Sequence, residues 1–259
     1  MATTRALEVA GSEGRPVRAV LHGDATAPHI LVAHGFKGFK DWGCWAWVCE
    51  QLAEAGFCAV RFDYSHNGVE TTDFDRLDLF LLDTWTRHQE DLAALAEALP
   101  GRLGLLGHSR GGGDALLFAA DHPRVAAVVT WASVASTRFE PPGWEEALRT
   151  QGFYAVRNGR TGQDMPIGRH AFEDAHRHDL VAAAGRVACP VLLIHGDDDA
   201  AVPPTAMDTL ARAVPSAATL TIAGAGHTFG ARHPWAGPTA QLEQAMGATS
   251  AFFLRSAWS

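Results

Sequence analysis

The sequence predicts an α/β fold: a mostly parallel central sheet flanked by helices on both faces, with a small lid inserted. Three observations predict it. Compact apolar runs of strand length alternate with helix-period segments from residue 30 onward, most runs read as strands covered on both faces, and one stretch of about fifty residues breaks the rhythm. The chain has 259 residues, 47% of them hydrophobic, enough for a single domain over 1–259 with one large core.

Leu7–Ala10 and Val17–Leu21 are strand-like runs joined by Gly11-Ser12-Glu13-Gly14, a turn cluster that suits an antiparallel hairpin. Ile30–Ala33 is the first covered strand, followed by apolar positions Trp45, Val48, Cys49 and Leu52 at helical spacing within Trp42–Ala55, closed by Gly56. Cys58–Phe62 continues as a strand, Gln89–Leu99 as a helix stopped by Pro100-Gly101, and Leu103–Leu106 as a strand. Asp114–Ala120 reads as a helix and the β-branched run Val125–Trp131 as a strand. After the interruption come strand Val191–Ile194, helix Pro204–Ala213, strand Leu220–Ala223 and a mostly helical Trp235–Leu254. Residues 136–186, with Pro141-Pro142 and several aromatic side chains, are too long for a bare loop and read as the lid.

Composition removes several function classes. Twenty-one Lys and Arg against twenty-nine Asp and Glu give a net charge of −8 without a basic run, which argues against nucleic acid as a partner. Nowhere do enough apolar residues follow one another to cross a membrane, so the chain reads as soluble, unexported and cytoplasmic. Cys44, Cys49, Cys58 and Cys189 form no Cys-x-x-Cys pair and read as core residues. Asp174, His176 and His178 lack a fourth ligand, so no metal is expected, and Gly224-Ala225-Gly226 lacks the remaining features of a dinucleotide loop, so no cofactor is expected either.

The chemistry-bearing signal is Gly107-His108-Ser109-Arg110-Gly111, a G-x-S-x-G set between a strand and a helix. Serine in such a turn is held with its hydroxyl projecting, and the flanking glycines relieve Cβ clashes. A serine hydroxyl needs a base and an orienting carboxylate. Gly196-Asp197-Asp198-Asp199 and Gly224-Ala225-Gly226-His227 follow later strands, so candidates for both fall at one rim of a parallel sheet. His34, His108 and His195 flank strand ends and read as turn-stabilising groups. Trp42, Trp45 and Trp47 read as core. Arg110 has two readings: it meets a carboxylate on the substrate, or it pairs with Asp114 one helical turn later.

With these motifs in order, the chain resembles the α/β-hydrolase superfamily along nearly its whole length. The resemblance implies Ser109 as nucleophile, His227 as base and Asp199, three residues past Gly196, as the acid. It also implies an oxyanion hole made by the backbone N–H groups of Phe36, in His34-Gly35-Phe36, and Arg110. Within the superfamily, His34–Phe39 and Phe62–Gly68 are similar to the serine esterase branch that includes dienelactone-hydrolase-like, cinnamoyl-esterase-like and serine-aminopeptidase-like proteins. A carboxylesterase acting on small or medium acyl esters is the expected activity, with an amidase, aminopeptidase or thioesterase as alternatives and a non-catalytic binding protein as the rival from another class. Trp144, Phe153 and Tyr154 of the lid are the expected substrate contacts. A small-molecule ester is the expected partner, and a homodimer is left open.

Overall fold

The computed structural model describes residues 3–71 and 73–258 and contains an eight-stranded sheet and a separate two-stranded one. The N-terminal hairpin is β1 (Thr4–Ala10) and β2 (Pro16–His22), antiparallel as the turn cluster predicts. β3 (His29–Ala33), β4 (Cys58–Asp63), β5 (Leu103–His108), β6 (Val125–Trp131), β9 (Val191–Gly196) and β10 (Ala217–Ile222) are mutually parallel, and β2 joins them through an antiparallel pairing with β4. The order is β1-β2-β4-β3-β5-β6-β9-β10.

Alternation along β3 explains the two-sided core. Leu31 and Ala33 face one cluster, packed with α3 (Trp85–Ala98), α4 (Arg110–Asp121), α7 (Leu180–Ala184) and α8 (Thr205–Ala213). Ile30 and Val32 face the other, packed with α1 (Trp45–Glu54) and α9 (Ala240–Arg255). Covering both faces leaves no polar position, which is why these strands read as continuous apolar runs.

Helix starts are where sequence and structure differ most. α3 begins at Trp85 rather than Gln89, because Thr84 caps it by accepting from Arg87 N at 3.2 Å. α4 begins at Arg110 rather than Asp114: Gly111, Gly112 and Gly113 are poor helix formers, but each is buried and packed. α9 begins at Ala240 rather than Trp235, since Gly237 has a φ of +96° and Thr239 supplies the cap.

The interrupting segment contains α5 (Trp144–Gln151), the antiparallel pair β7 (Phe153–Arg157) and β8 (Asp164–Gly168), and α6 (Arg169–Ala175). Met165 on β8 is fully buried among Phe39, Val69, Phe74 and Phe80, the last from the short α2 (Leu77–Phe80). Arg160 pairs with Asp73 at 2.6 and 3.0 Å and Gln163 donates to Phe74 O at 2.8 Å, so the hairpin is fastened to the main domain. The C-terminal end of residues 136–186 is not lid at all: Leu180, Ala183 and Ala184 join the main core beneath α4.

Candidate active site

β5 turns into α4 at Ser109, whose φ of 56° and ψ of −120° lie outside the regions ordinary residues favour. Glycine makes this reversal feasible. A Cβ at Gly107 would lie 2.1 Å from Gly111 O, and one at Gly111 would lie 2.4 Å from Ala33 O. Gly35 approaches from the β3 exit loop so closely that a Cβ there would be 2.9 Å from Ser109 Cβ. The backbone is held in place by Ser109 N donating to Trp131 O at 2.8 Å and Ser109 O accepting from Gly112 N at 3.0 Å.

Ser109 and His227 line one cavity of about 430 Å³. His227 Nδ1 donates to Asp199 Oδ2 at 2.8 Å, which leaves Nε2 with the lone pair. Asp199 is anchored in turn, its Oδ1 accepting from the backbone N–H groups of Ala201 and Val202, both at 2.9 Å. Burial pushes this carboxyl up, but the Val202 N–H, His227 and the Ala201 N–H together hold it below the ordinary carboxylate value. The base and acid expected from the sequence are therefore joined directly. Among the described residues Ser109 Oγ makes no hydrogen bond to His227, and the two meet as neighbours on the cavity wall.

The two amides expected to bind an oxyanion are free to do so. Phe36 stands in a turn closed by Gly38 N donating to Gly35 O at 2.9 Å, and Arg110 opens α4. Among the described residues neither backbone N–H donates to a protein acceptor. At Arg110 that is the ordinary condition of a helix's first N–H groups, which also lie at the positive end of its dipole.

His108, His34 and His195 act on the surrounding loops. His108 Nε2 donates to His227 O at 2.9 Å, His34 Nδ1 to Gly35 O at 3.0 Å and His195 Nε2 to Val202 O at 3.0 Å, each bracing a segment that carries a candidate group. Burial, followed by the nearby His227, lowers His108 to a pKa of about 3, so its ring is neutral at pH 7. Trp45 is core, in contact with His108 and Trp131, while Trp42 and Trp47 are half-buried against the same cluster. Asp174 accepts from Thr86 N at 3.0 Å and Thr86 Oγ1 at 2.5 Å, which fastens α6 to the start of α3.

Two expectations need correction. Trp144, Phe153 and Tyr154 lie outside the cavity lining. Trp144 stacks on Phe172 at 4.5 Å and Tyr154 packs in the same small cluster, so the first layer toward the cavity comes from Phe139, Ile167 and Phe172, together with Phe36, Phe80 and Trp85. A short amphipathic segment must bury some aromatics within itself, and spacing alone does not tell these from the ones facing a ligand. Arg110 does not ion-pair with Asp114: Nη1 donates to Asp83 at 2.5 Å, and Cζ lies over the Trp85 ring at 4.9 Å from its centre.

Asp83 and His88 are the partners that sequence reasoning missed. His88 bridges Asp83 at 2.7 Å and Asp114 at 2.8 Å and stacks on Tyr64 at 3.5 Å between ring centres. Burial opposes its charge, but the two carboxylates override it and raise His88 to a pKa of about 9. The available signal was an Asp-Thr pair before a run with helical spacing, which marks a capped start at Trp85.

Comparison with known proteins places this geometry in a family. Residues 30–237 match the model of the Alpha/beta hydrolase family. An uncharacterized 31.7 kDa protein of Escherichia coli, from the traX-finO intergenic region, is 26% identical over 241 residues, covering 76% of this chain and 81% of that one. Among solved structures, a putative hydrolase from Agrobacterium vitis aligns with a TM-score of 0.78 at 21% identity, covering 97% of this chain and 98% of the other. Est1E from Butyrivibrio proteoclasticus, solved with ferulic acid bound, aligns with a TM-score of 0.74 at 20% identity, covering 95% and 97%. With a family match over most of its length, a strained serine between β5 and α4 and this sheet order, the chain belongs to the alpha/beta hydrolase family.

Proposed function

We propose that the protein is a serine carboxylesterase that cleaves small or medium acyl esters through an acyl-enzyme intermediate. The observation that carries this reading is the His227–Asp199 hydrogen bond at 2.8 Å, with Ser109 on the same cavity wall. Carboxylate pairing at Nδ1 leaves Nε2 to accept the Ser109 proton as Oγ bonds to the ester carbon. In this reading the hydrogen bond between Ser109 and His227 forms as substrate closes the site, since catalytic hydrogen bonds are often long before substrate binds. The carbonyl oxygen becomes negative, and the Phe36 and Arg110 N–H groups are its donors. The alcohol leaves with the proton from His227. Water then gives a proton back to the base and attacks the acyl carbon, which releases the acid and restores the Ser109 hydroxyl.

The cavity supports an apolar acyl or aryl group, since Phe36, Phe80, Trp85, Phe139, Ile167 and Phe172 line it. The test compares p-nitrophenyl esters of increasing chain length with acyl thioesters and aminoacyl anilides. Ester hydrolysis should dominate, a fluorophosphonate should label Ser109, and Ser109→Ala should lose at least ~10³ of kcat with an unchanged circular dichroism spectrum. Faster cleavage of anilides or thioesters would replace the ester reading with the amidase or thioesterase alternative. Absence of labelling and of all turnover would leave a binding protein.

A further inference from the structure

The charge of this cavity is opposite to that of the molecule. The chain carries a net charge of −8, yet the Lys, Arg, Asp and Glu side chains lining the cavity are Lys37, Arg110 and Arg138 against one carboxylate, Asp83. Both oxygens of Asp83 are engaged, Oδ1 by His88 at 2.7 Å and Oδ2 by Arg110 Nη1 at 2.5 Å. Asp114 pairs with His88 from the other side at 2.8 Å, so the two carboxylates balance His88 and Arg110, and Lys37 and Arg138 remain as the excess positive charge of the lining.

Arg110 is held as a recognition group would be. Its side chain is 13% exposed, its Cζ lies over the Trp85 ring at 4.9 Å from the centre, and it is pinned at Nη1. Trp85 is fixed through its Nε1 donating to Thr137 O at 3.0 Å. Nη2 has no hydrogen-bond acceptor among the described residues, and Nε is buried without one. A guanidinium with idle donors, one residue from the serine, is a costly arrangement in the absence of an anion to complete it. Lys37 follows the Phe36 amide. Its ammonium donates to Arg157 O at 3.1 Å and lies over the Phe36 ring, and burial lowers its pKa. Among the described residues neither Lys37 nor Arg138 ion-pairs with a carboxylate.

Resting on the serine esterase reading, we infer that the substrate is an ester bearing a carboxylate, received by the Arg110 guanidinium with Lys37 and Arg138 at the cavity wall. The apolar lining takes the carbon skeleton and the cationic groups its charged end. A carboxylate fits the planar fork of an arginine better than a neutral polar group does. The local cations also counter the repulsion that a net negative protein exerts on an anionic ligand.

The test uses matched pairs. Mono-p-nitrophenyl glutarate against p-nitrophenyl valerate places the charge on the acyl side, and 4-carboxyphenyl butyrate against 4-carbamoylphenyl butyrate places it on the leaving group. In one pair kcat/KM should favour the anion by roughly tenfold, the scale of one charge-assisted hydrogen bond, and about 0.5 M NaCl should shrink that advantage. Arg110→Gln should remove the preference. Because that variant unpairs Asp83 and is itself at risk of misfolding, Lys37→Gln and Arg138→Gln are measured beside it, and each should lower the charged-to-neutral ratio by roughly two- to threefold. Turnover of the neutral esters with no preference in either pair overturns the inference and leaves the esterase reading intact. A ratio unmoved by all three substitutions also overturns it. No turnover of any ester, with Ser109 unlabelled by the fluorophosphonate, overturns both together.

Discussion

At Ser109 a single backbone conformation links sequence to chemistry. A residue with φ of 56° and ψ of −120° is strained, and the strain is held by hydrogen bonds at both its N–H and its C=O. The glycines around it are needed for space. At Gly111 the obstacle to a Cβ is the carbonyl oxygen of Ala33, 2.4 Å away in a central strand that has nowhere to move. Gly111→Ala should therefore lower stability by roughly 1–3 kcal/mol in urea unfolding and reduce ester turnover with it. Wild-type stability and rate in that variant would show that α4 can shift away from β3 at no cost. Gly107-x-Ser109-x-Gly111 was legible as a motif because this requirement is local. Arg110's partner was not legible, because Asp83 approaches from another part of the chain.

Among the elements, the β7–β8 hairpin decides the shape of the cavity. β8 places Ile167 in the lining and leads into α6, which supplies Ala171 and Phe172. Its buried anchor is Met165, fully enclosed by Phe39, Phe74 and Phe80 of the main domain. Met165→Ala should cost roughly 2–5 kcal/mol by leaving a cavity there, and it should raise KM for long-chain esters more than it lowers kcat, since the wall shifts while Ser109 does not. Unchanged KM across the chain-length series would mean that Arg160–Asp73 and Gln163 hold the hairpin without it. That an insertion exists was legible from the loss of the strand-helix rhythm. Which of its aromatics face inward was not, since Trp144 and Phe172 have similar sequence character and only their packing places one behind the other.

For the whole molecule, the buried histidines set a dependence of stability on pH with two limbs. His88 is raised to about 9 in the folded state, above the unfolded value of about 6.5, so its contribution is complete below pH 6.5 and fades as pH rises toward 9. His108 and His22 are lowered, to about 3 and about 4, by burial first and by His227 and Arg61 second. Their unfolded forms take up protons more readily, so stability falls as pH drops below about 6.5 toward those values. Thermal unfolding midpoints measured across pH should accordingly peak between the limbs, and His88→Gln should flatten the alkaline one; an alkaline limb unchanged in that variant would assign it to another group. The sequence by itself determined the sheet of covered strands, the elbow serine and the order of serine, carboxylate and histidine, because hydrophobic period and turn chemistry act over a few neighbouring residues. Only the tertiary structure decided that His227 bonds Asp199, that Arg110 rests on Trp85 and Asp83, and that Phe172 rather than Trp144 borders the cavity. Such contacts join residues far apart in the chain, and their energies depend on burial and distance, which exist only after the layers have packed.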